Sequence, residues 1–183
     1  MDEPDPRTVN AAAAGDTAAF VEIMTATQAD VWRFLRHLTG DPEAAADLTQ
    51  DTYVRVHQRI GTYRFEAPFS SWLLRIARNL AWDEMRARQR RDRLRERLRP
   101  DPTWSAAPAD TVELRAAVAS LGDDVREAFV SVEIFGLTYR EAADVLEVPE
   151  GTVKSRVFRA RRALVAWLRS NESDDEGGGR RAR

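Results

Sequence analysis

The chain has 183 residues, of which 43% are hydrophobic and 32% are charged, enough for one average domain or two small ones. It has no cysteine, which excludes disulfides, and its two histidines are too few for a zinc or iron site unless several carboxylates converge on them. The sequence also has neither a stretch of about 20 apolar residues that would span a bilayer nor the pattern of a signal peptide. We therefore expect a cytoplasmic protein with no metal, no other cofactor and no membrane contact of its own.

Charge is unevenly distributed along the chain, despite a net charge of only −2. Residues 1–60 carry ten acids against five arginines. The segment from Arg86 to Arg99 carries eight arginines against two acids, and the segment from Lys154 to Arg169 carries six basic residues and no acid. This segregation predicts two basic surfaces for a polyanion and an acidic face for a different partner. Part of each arginine run can instead be an ordinary solvated face.

The periodicity predicts an all-α fold, with a tail at residues 1–15 and a first domain at residues 16–99. Asp16 is expected to cap the first helix, which ends near Gly40. Asp41 followed by proline begins the second helix, and Ser70 or Ser71 caps a third that continues into the arginine run.

The second half of the chain predicts another small helical domain, joined to the first by a flexible linker. Residues 100–110 contain three prolines and no periodicity, which is typical of a linker. Trp104 in that linker can anchor it to a domain or contact a partner. The second domain covers residues 111–169, and the polar segment at residues 170–183 is predicted to be a disordered tail.

The second domain has the pattern of a helix-turn-helix. Thr138 and Glu141 form a capping box that opens a short helix, Pro149 interrupts the chain, and a basic helix follows from Thr152 to about Arg169. Such a second helix reads the major groove of DNA, and its core stripe is predicted to begin with Val153. The residues predicted to contact duplex DNA are Arg140, Thr152, Lys154, Ser155, Arg156, Arg159 and Arg162. Thr152 is also suited to capping this helix.

The amino-acid sequence of this motif resembles that of a known family. Gly136-Leu-Thr-Tyr-Arg-Glu-Ala-Ala-Asp-Val-Leu and Val148-Pro-Glu-Gly-Thr-Val-Lys-Ser-Arg-Val-Phe-Arg-Ala-Arg are similar to region 4 of the extracytoplasmic-function sigma factors. The resemblance implies that the domain reads the −35 promoter element. A related helix-turn-helix occurs in two-component response regulators, so the motif alone leaves that family open.

The first domain decides between these families. Asp47-Leu-Thr-Gln-Asp-Thr-Tyr-Val-Arg-Val resembles sigma region 2.2, which implies docking on a coiled coil of the largest core subunit of RNA polymerase. A partly apolar, acidic stripe at helical spacing suits a basic partner helix, although it can also be a solvated face. The residues predicted to bind the polymerase are Asp47, Leu48, Gln50, Asp51 and Val54.

Tyr63-Arg-Phe-Glu-Ala-Pro-Phe-Ser-Ser-Trp-Leu-Leu-Arg-Ile-Ala-Arg-Asn resembles sigma regions 2.3 and 2.4, which implies melting and capture of the −10 strand. Interleaved aromatic and arginine side chains suit single-stranded DNA, and Glu66 to Ser71 would be the loop that receives a flipped base. Phe65, Phe69 and Trp72 can instead belong to the core. The residues predicted to contact the −10 element are Tyr63, Phe65, Phe69, Ser70, Ser71, Trp72, Arg75, Arg78, Asn79, Asp83 and Arg86.

The resemblance implies an alternative sigma factor that binds core RNA polymerase through its coiled coil and flap, binds duplex and single-stranded promoter DNA, and has an anti-sigma partner. We expect it to be a monomer when free and not to be an enzyme. His37 and His57 lie inside predicted helices without ligand partners. Two other functions remain open at this point: a dimeric helix-turn-helix regulator that binds duplex DNA without polymerase, and a helical adaptor with incidental basic faces.

Overall fold

The structure is a computed structural model that describes residues 1–96 and 117–177. Its regular elements there are helices, which agrees with the predicted all-α fold. They are α1 (Pro6–Ala13), α2 (Thr17–Thr39), α3 (Pro42–Arg59), α4 (Phe69–Glu96), α5 (Asp123–Phe129), α6 (Tyr139–Leu146) and α7 (Glu150–Gly177). We refer to α1–α4 as domain one and to α5–α7, with the helical residues 117–119, as domain two.

The predicted helix boundaries of domain one are confirmed by their caps. The Asp16 carboxylate accepts hydrogen bonds from two backbone amides of α2, and Gly40 ends that helix with a positive φ of 72°. Asp41 caps α3 in the same way, with Pro42 in the first turn. The three long helices pack around a core that includes Phe34 and Leu73, both fully buried.

The first 15 residues, expected to be a tail, instead carry a packed helix. Asp5 caps α1, and Val9 is buried in the core of domain one. Glu3 reaches the start of α4, where its carboxylate accepts hydrogen bonds from the backbone amides of Phe69 and Ser70. The segment from Glu3 through α1 is therefore part of domain one, and it supplies the cap of a helix more than 60 residues further along the chain.

Domain two contains the predicted helix-turn-helix. The capping box between Thr138 and Glu141 is confirmed, with both reciprocal hydrogen bonds formed. Helix α7 begins at Glu150 rather than at Thr152, because the amide of Thr152 already donates to the carbonyl of Pro149 within the first turn. Thr152 is therefore not the cap that was expected.

The chain between α5 and α6 passes through a π-helical turn, Val130–Ile134. It ends at Gly136, whose positive φ of 67° lets the chain turn into the helix-turn-helix. Helix α7 continues as backbone to Gly177, beyond the predicted end near Arg169. The predicted linker at residues 100–110, with Trp104, and the end of the predicted tail at residues 178–183 lie outside the described residues.

The two domains pack against each other. Helix α4 of domain one lies against α6, and α2 lies against α5 and the π-helical turn. Phe135 packs edge-on against Phe34 of α2, with ring centroids 5.3 Å apart. This arrangement determines which of the predicted functional residues reach solvent.

Candidate functional site

Helices α2 and α3 enclose an apolar groove on the surface of domain one. Its volume is about 470 Å³. It is lined by Phe20, Met24, Gln28, Thr49, Gln50, Tyr53, Val54, His57 and Gln58. The floor is rigid, because Tyr53 is buried and its hydroxyl lies 2.8 Å from the Thr27 hydroxyl in a hydrogen bond. Burial raises the pKa of Tyr53 to about 12, so the phenol stays neutral at physiological pH.

Four of the five residues predicted to bind polymerase lie at the surface beside or inside this groove. Asp47, Gln50 and Asp51 are exposed, and Val54 is 57% exposed and is part of the apolar surface that lines the groove. The prediction that Leu48 binds polymerase is wrong, because Leu48 is only 5% exposed and packs in the core. The groove therefore combines an apolar floor with acidic side chains on α3.

The α2 wall of the groove was missed by the sequence reasoning. Phe20 and Met24 lie one helical turn apart on α2, and Phe20 packs edge-on against His57 of α3 with centroids 5.0 Å apart. Their spacing indicated only a core face. Incomplete burial distinguishes them from the core, and it depends on how α2 and α3 cross, which no local pattern reveals.

The loop before α4 carries an aromatic cluster. The ring of Tyr63 lies 4.6 Å from Phe65, 5.4 Å from Phe69 and 5.4 Å from Trp72, measured between centroids. The Tyr63 hydroxyl donates to the carbonyl of Ala67 at 2.6 Å, which closes the loop. Burial, helped by the nearby charge of Glu3, raises the pKa of Tyr63.

Phe65 is the solvent-facing member of this cluster. It is 46% exposed and has a positive φ of 57°, a strained conformation for a bulky residue. Phe69 is 1% exposed, so of its two predicted roles the core role is correct and direct DNA contact is not. Ser71 is likewise buried, whereas Ser70 and Trp72 are half-buried.

A polar cavity of about 320 Å³ lies beside this loop. Domain one contributes Tyr63, Ser71, Trp72 and Arg75 among its lining residues. Domain two contributes Arg140 and Asp144 of α6. Arg140, which was predicted to contact the −35 duplex, therefore faces the loop before α4 in this arrangement. The hydroxyl of Ser71 is buried without a hydrogen-bond partner, so the cavity has an unused polar group in its wall.

Further along α4, the predicted −10 residues divide into two groups. Arg78 and Asn79 are half-buried beneath domain two, and Arg78 donates to the Asn79 side chain. Asp83 and Arg86 are exposed and form an ion pair with each other at 2.7 Å. Only the second pair is open to solvent.

Helix α7 separates a core face from a polar face, as predicted. Val153, Val157 and Ala160 are fully buried. Lys154, Ser155, Arg159 and Arg162 are exposed, whereas Thr152 and Arg156 are half-buried. A hydrogen bond from Lys154 to Glu150 raises the pKa of the lysine.

The sequence reasoning missed the acids of α5 that face these arginines. Asp124 pairs with Arg156 at 3.4 Å and with Arg159 at 3.6 Å. Glu127 pairs with Arg78 of domain one at 3.0 Å and with Arg156 at 3.3 Å, and it is only 2% exposed. An acid in the middle of a short helix gives no signal in the sequence that it will be buried.

Other classes of site find no support among the described residues. No cluster of three or more histidine, cysteine or acidic side chains in residues 1–96 and 117–177 could hold a metal ion. Within the same ranges, no helix has the length and apolar character needed to cross a membrane.

Two family models match the chain, one to each domain. Sigma-70 region 2 matches residues 23–91, which includes α3, the aromatic loop and most of α4. Sigma-70 region 4 matches residues 111–164, which includes the helix-turn-helix. The matches follow the two domains in the order that the motifs predicted.

Individual relatives agree with these matches over nearly the whole chain. A protein named probable RNA polymerase sigma-C factor, from Mycobacterium bovis, is 38% identical over 160 residues, covering 85% of this chain and 86% of the relative. The RNA polymerase sigma-H factor of Pseudomonas aeruginosa is 29% identical over 185 residues, covering 88% and 92% respectively.

Solved structures show the same relationship. The sigma factor RpoE from Bartonella quintana, solved with the anti-sigma factor NepR, matches with a TM-score of 0.73 and 26% identity, covering 82% of this chain and 96% of that chain. CnrH, solved with the cytosolic domain of CnrY, matches with a TM-score of 0.72 and 26% identity, covering 90% and 96%. The chain therefore belongs to the extracytoplasmic-function family of sigma-70-type RNA polymerase sigma factors, the transcription initiation factors that direct RNA polymerase to promoters.

Proposed function

We propose that this alternative sigma factor binds core RNA polymerase through the groove between α2 and α3. The observation that carries this proposal is the exposure of Val54 in an apolar groove with Asp47 and Asp51 on the same helix. A partner helix with apolar and basic side chains fits it, since apolar burial supplies affinity and the acids steer the encounter. A coiled coil of the largest polymerase subunit has that form.

Domain one also captures the melted −10 strand at the aromatic loop. Phe65 offers an exposed ring for stacking, and the half-buried polar side chain of Arg75 lines the adjoining cavity. A flipped base needs a stacking surface and polar groups for its edge, and this loop has both. Asp83 and Arg86 lie further along the same helix, where they face the upstream duplex.

Domain two reads the −35 duplex with the first turns of α7. The helix presents Lys154, Ser155 and Arg159 on one exposed side, with Arg162 one turn further on. Arginine contacts guanine in the major groove with two hydrogen bonds, which gives sequence discrimination of about 1–3 kcal/mol per base pair. Arg159 is the residue best placed for that contact, because it is exposed and lies within the first three turns of α7.

An anti-sigma factor is a further partner that we propose. RpoE was solved with the anti-sigma factor NepR, and CnrH was solved with the cytosolic domain of CnrY. A protein that covers the groove or the aromatic loop of this chain would keep it from polymerase or from DNA. Without such a partner the chain is a monomer that acts in the cytoplasm, where polymerase and promoters are.

Co-elution with sigma-free core RNA polymerase on a sizing column tests the proposal. The wild-type chain is expected to bind stoichiometrically, and Asp51→Arg to lose binding, because it places a positive charge on the docking surface. Glu22→Arg is the matched control: it makes the same charge change on exposed α2, on the side that faces α1 through Thr8. Normal co-elution of Asp51→Arg would contradict the docking surface. A wild-type chain that shifts duplex DNA but stays free of polymerase would favour a helix-turn-helix regulator instead.

A further inference from the structure

The loop before α4 is held at both of its ends by the N-terminal segment. At its start, the short 3₁₀ turn Ile60–Thr62 packs against α1. At its end, the Glu3 carboxylate accepts hydrogen bonds from the backbone amides of Phe69 and Ser70, although Glu3 and Phe69 are 66 residues apart in the chain. The segment from Glu3 to the end of α1 therefore fixes the two points between which this loop runs.

Helix α4 depends on Glu3 because its own sequence supplies no cap. The helix begins at Phe69, and the residue before it is Pro68, whose ring has no hydrogen-bond acceptor. Ser70 and Ser71, the expected caps, already lie inside the helix. The first amides of a helix have no partner within it, so a side chain from elsewhere has to accept their hydrogen bonds. Glu3 does so for two of them.

The loop that is held in this way has a strained conformation. Phe65 has a positive φ of 57°, which a bulky residue adopts only where surrounding contacts hold it, and its ring is 46% exposed. The Tyr63 ring packs against Phe65 with centroids 4.6 Å apart, and its hydroxyl donates to the carbonyl of Ala67. Burial and, after it, the charge of Glu3 raise the pKa of Tyr63, which indicates that the carboxylate lies close to this cluster.

We propose that Glu3 is a positioning residue for capture of the −10 strand, because it orders the loop before α4 so that the exposed ring of Phe65 can stack on a base. This inference rests on the proposed role of that loop. A loop that is ordered in advance loses less conformational freedom when the strand binds, so the strand is bound more tightly. Glu3 acts through the loop and does not contact the strand, since a carboxylate repels phosphate.

The direction of the effect distinguishes positioning from simple electrostatics. Glu3→Ala removes a negative charge from a surface that faces DNA, so electrostatics alone would strengthen strand binding. Loss of positioning weakens it instead. A general loss of stability would also weaken binding, but it would do so equally for any lost helix cap.

Strand affinity of the holoenzyme tests the proposal. The probe is single-stranded DNA with the −10 sequence that the wild-type holoenzyme selects from a random library, and fluorescence anisotropy measures its affinity below the melting temperature. Phe65→Ala should bind about 10-fold more weakly, because a stacked base is lost. Glu3→Ala should bind about five-fold more weakly, because the strand must then order the loop. Glu3→Gln keeps one acceptor oxygen and should lie between Glu3→Ala and the wild type.

A double-mutant cycle shows whether Glu3 acts through Phe65. In the Phe65→Ala background, Glu3→Ala should weaken strand binding by less than about two-fold, because the ring that Glu3 positions is already absent. A merely structural role gives additive effects, so a further five-fold loss in that background would overturn the proposal. Stronger strand binding by Glu3→Ala alone would overturn it as well.

Glu141→Ala is the matched control. The Glu141 carboxylate accepts the backbone amide of Thr138 at the start of α6, so this variant loses the same type of side chain, the same charge and a helix cap in domain two. It should leave strand affinity unchanged, and a loss equal to that of Glu3→Ala would overturn the proposal. Circular dichroism identifies a variant that fails to fold, and Glu3→Gln replaces Glu3→Ala in that case.

The same experiment separates failure of this inference from failure of the proposed function. Weaker strand binding by Phe65→Ala, together with unchanged binding by Glu3→Ala, would overturn the positioning role alone. Unchanged binding by Phe65→Ala would contradict the proposed role of the loop, and the positioning role with it. Affinity for core polymerase should be the same in all these variants, because none of the three substituted positions lines the α2–α3 groove.

Discussion

The proposed docking groove and the proposed DNA-reading surfaces of this sigma factor differ in how far their side chains are paired within the chain. At the groove between α2 and α3, Val54 and the neighbouring acids of α3, Asp47 and Asp51, are exposed to solvent. On the DNA-reading surfaces, Arg78 and Arg156 are paired with the buried Glu127. The groove is therefore accessible to a partner, whereas these arginines already pair with a carboxylate of the same chain.

The difference follows from the chemistry of the two kinds of partner. A protein helix supplies its own apolar and charged groups, so a docking groove can remain open without cost beyond exposing a few side chains. Clustered arginines repel each other and attract any polyanion, and nearby carboxylates reduce both effects. The acids of α5 therefore neutralise part of the positive charge on the proposed DNA-reading surfaces.

The largest effect is expected from a substitution in the exposed groove between α2 and α3. Val54→Asp places a charge in the apolar groove, where it would be buried without a partner, and should weaken core polymerase binding by about 100-fold. Val21→Asp is the control, because Val21 is also an exposed valine, at 46%, and it does not line the groove. Biolayer interferometry against immobilised core enzyme measures both. Equal losses for the two variants would show that the groove is not the docking site.

A smaller effect is expected from a substitution on the proposed DNA-reading face of α7. Arg159→Ala removes the proposed base contact and should reduce discrimination at one −35 position by about 1–3 kcal/mol, which is about 5- to 150-fold. Selection from a promoter library with a randomised −35 element measures the preference. Arg161→Ala is the control, since Arg161 is about as exposed as Arg159 and also pairs with one acid, Glu133, but is not on the proposed reading face. An unchanged preference in Arg159→Ala would remove that residue from the reading face.

The helices and their caps could be predicted because they depend on neighbouring residues. Asp16, Asp41 and the capping box at Thr138 act within one turn of their own helices, and the structure has each where the sequence indicated. The separation of α7 into a core face and a polar face follows from helical periodicity in the same way.

The errors concern contacts between residues far apart in the chain. Leu48 belongs to the predicted docking stripe by spacing, but the crossing of α3 with its neighbours places it in the core. Phe69 lies in a segment whose interleaved aromatic and arginine residues are typical of DNA-binding surfaces. Its burial depends on how the loop before α4 folds back over it. Glu127 has no local signal at all, because its partners lie 45 and 49 residues away.

The smallest effect is expected at Glu3, where the sequence predicted only a tail. Its carboxylate accepts hydrogen bonds from the amides of Phe69 and Ser70, which have no partner within α4, so it acts as a helix cap for the helix that carries the proposed −10 residues. Glu3→Ala should cost about 1 kcal/mol, as loss of a capping side chain does, and lower the Tm by about 2–4 °C in a chain of this size. Differential scanning calorimetry measures the shift.

Asp2→Ala is the control for that change, because Asp2 is an exposed neighbouring acid whose loss changes the net charge equally. If both variants have the same Tm as the wild type, the hydrogen bonds to Glu3 contribute nothing to stability. If only Glu3→Ala is destabilised while its polymerase binding is unchanged, the N-terminal segment supports the DNA-reading half of the molecule independently of the docking groove. That outcome would show that the start of α4 can be destabilised without any effect on the groove, although both are built on the core of domain one.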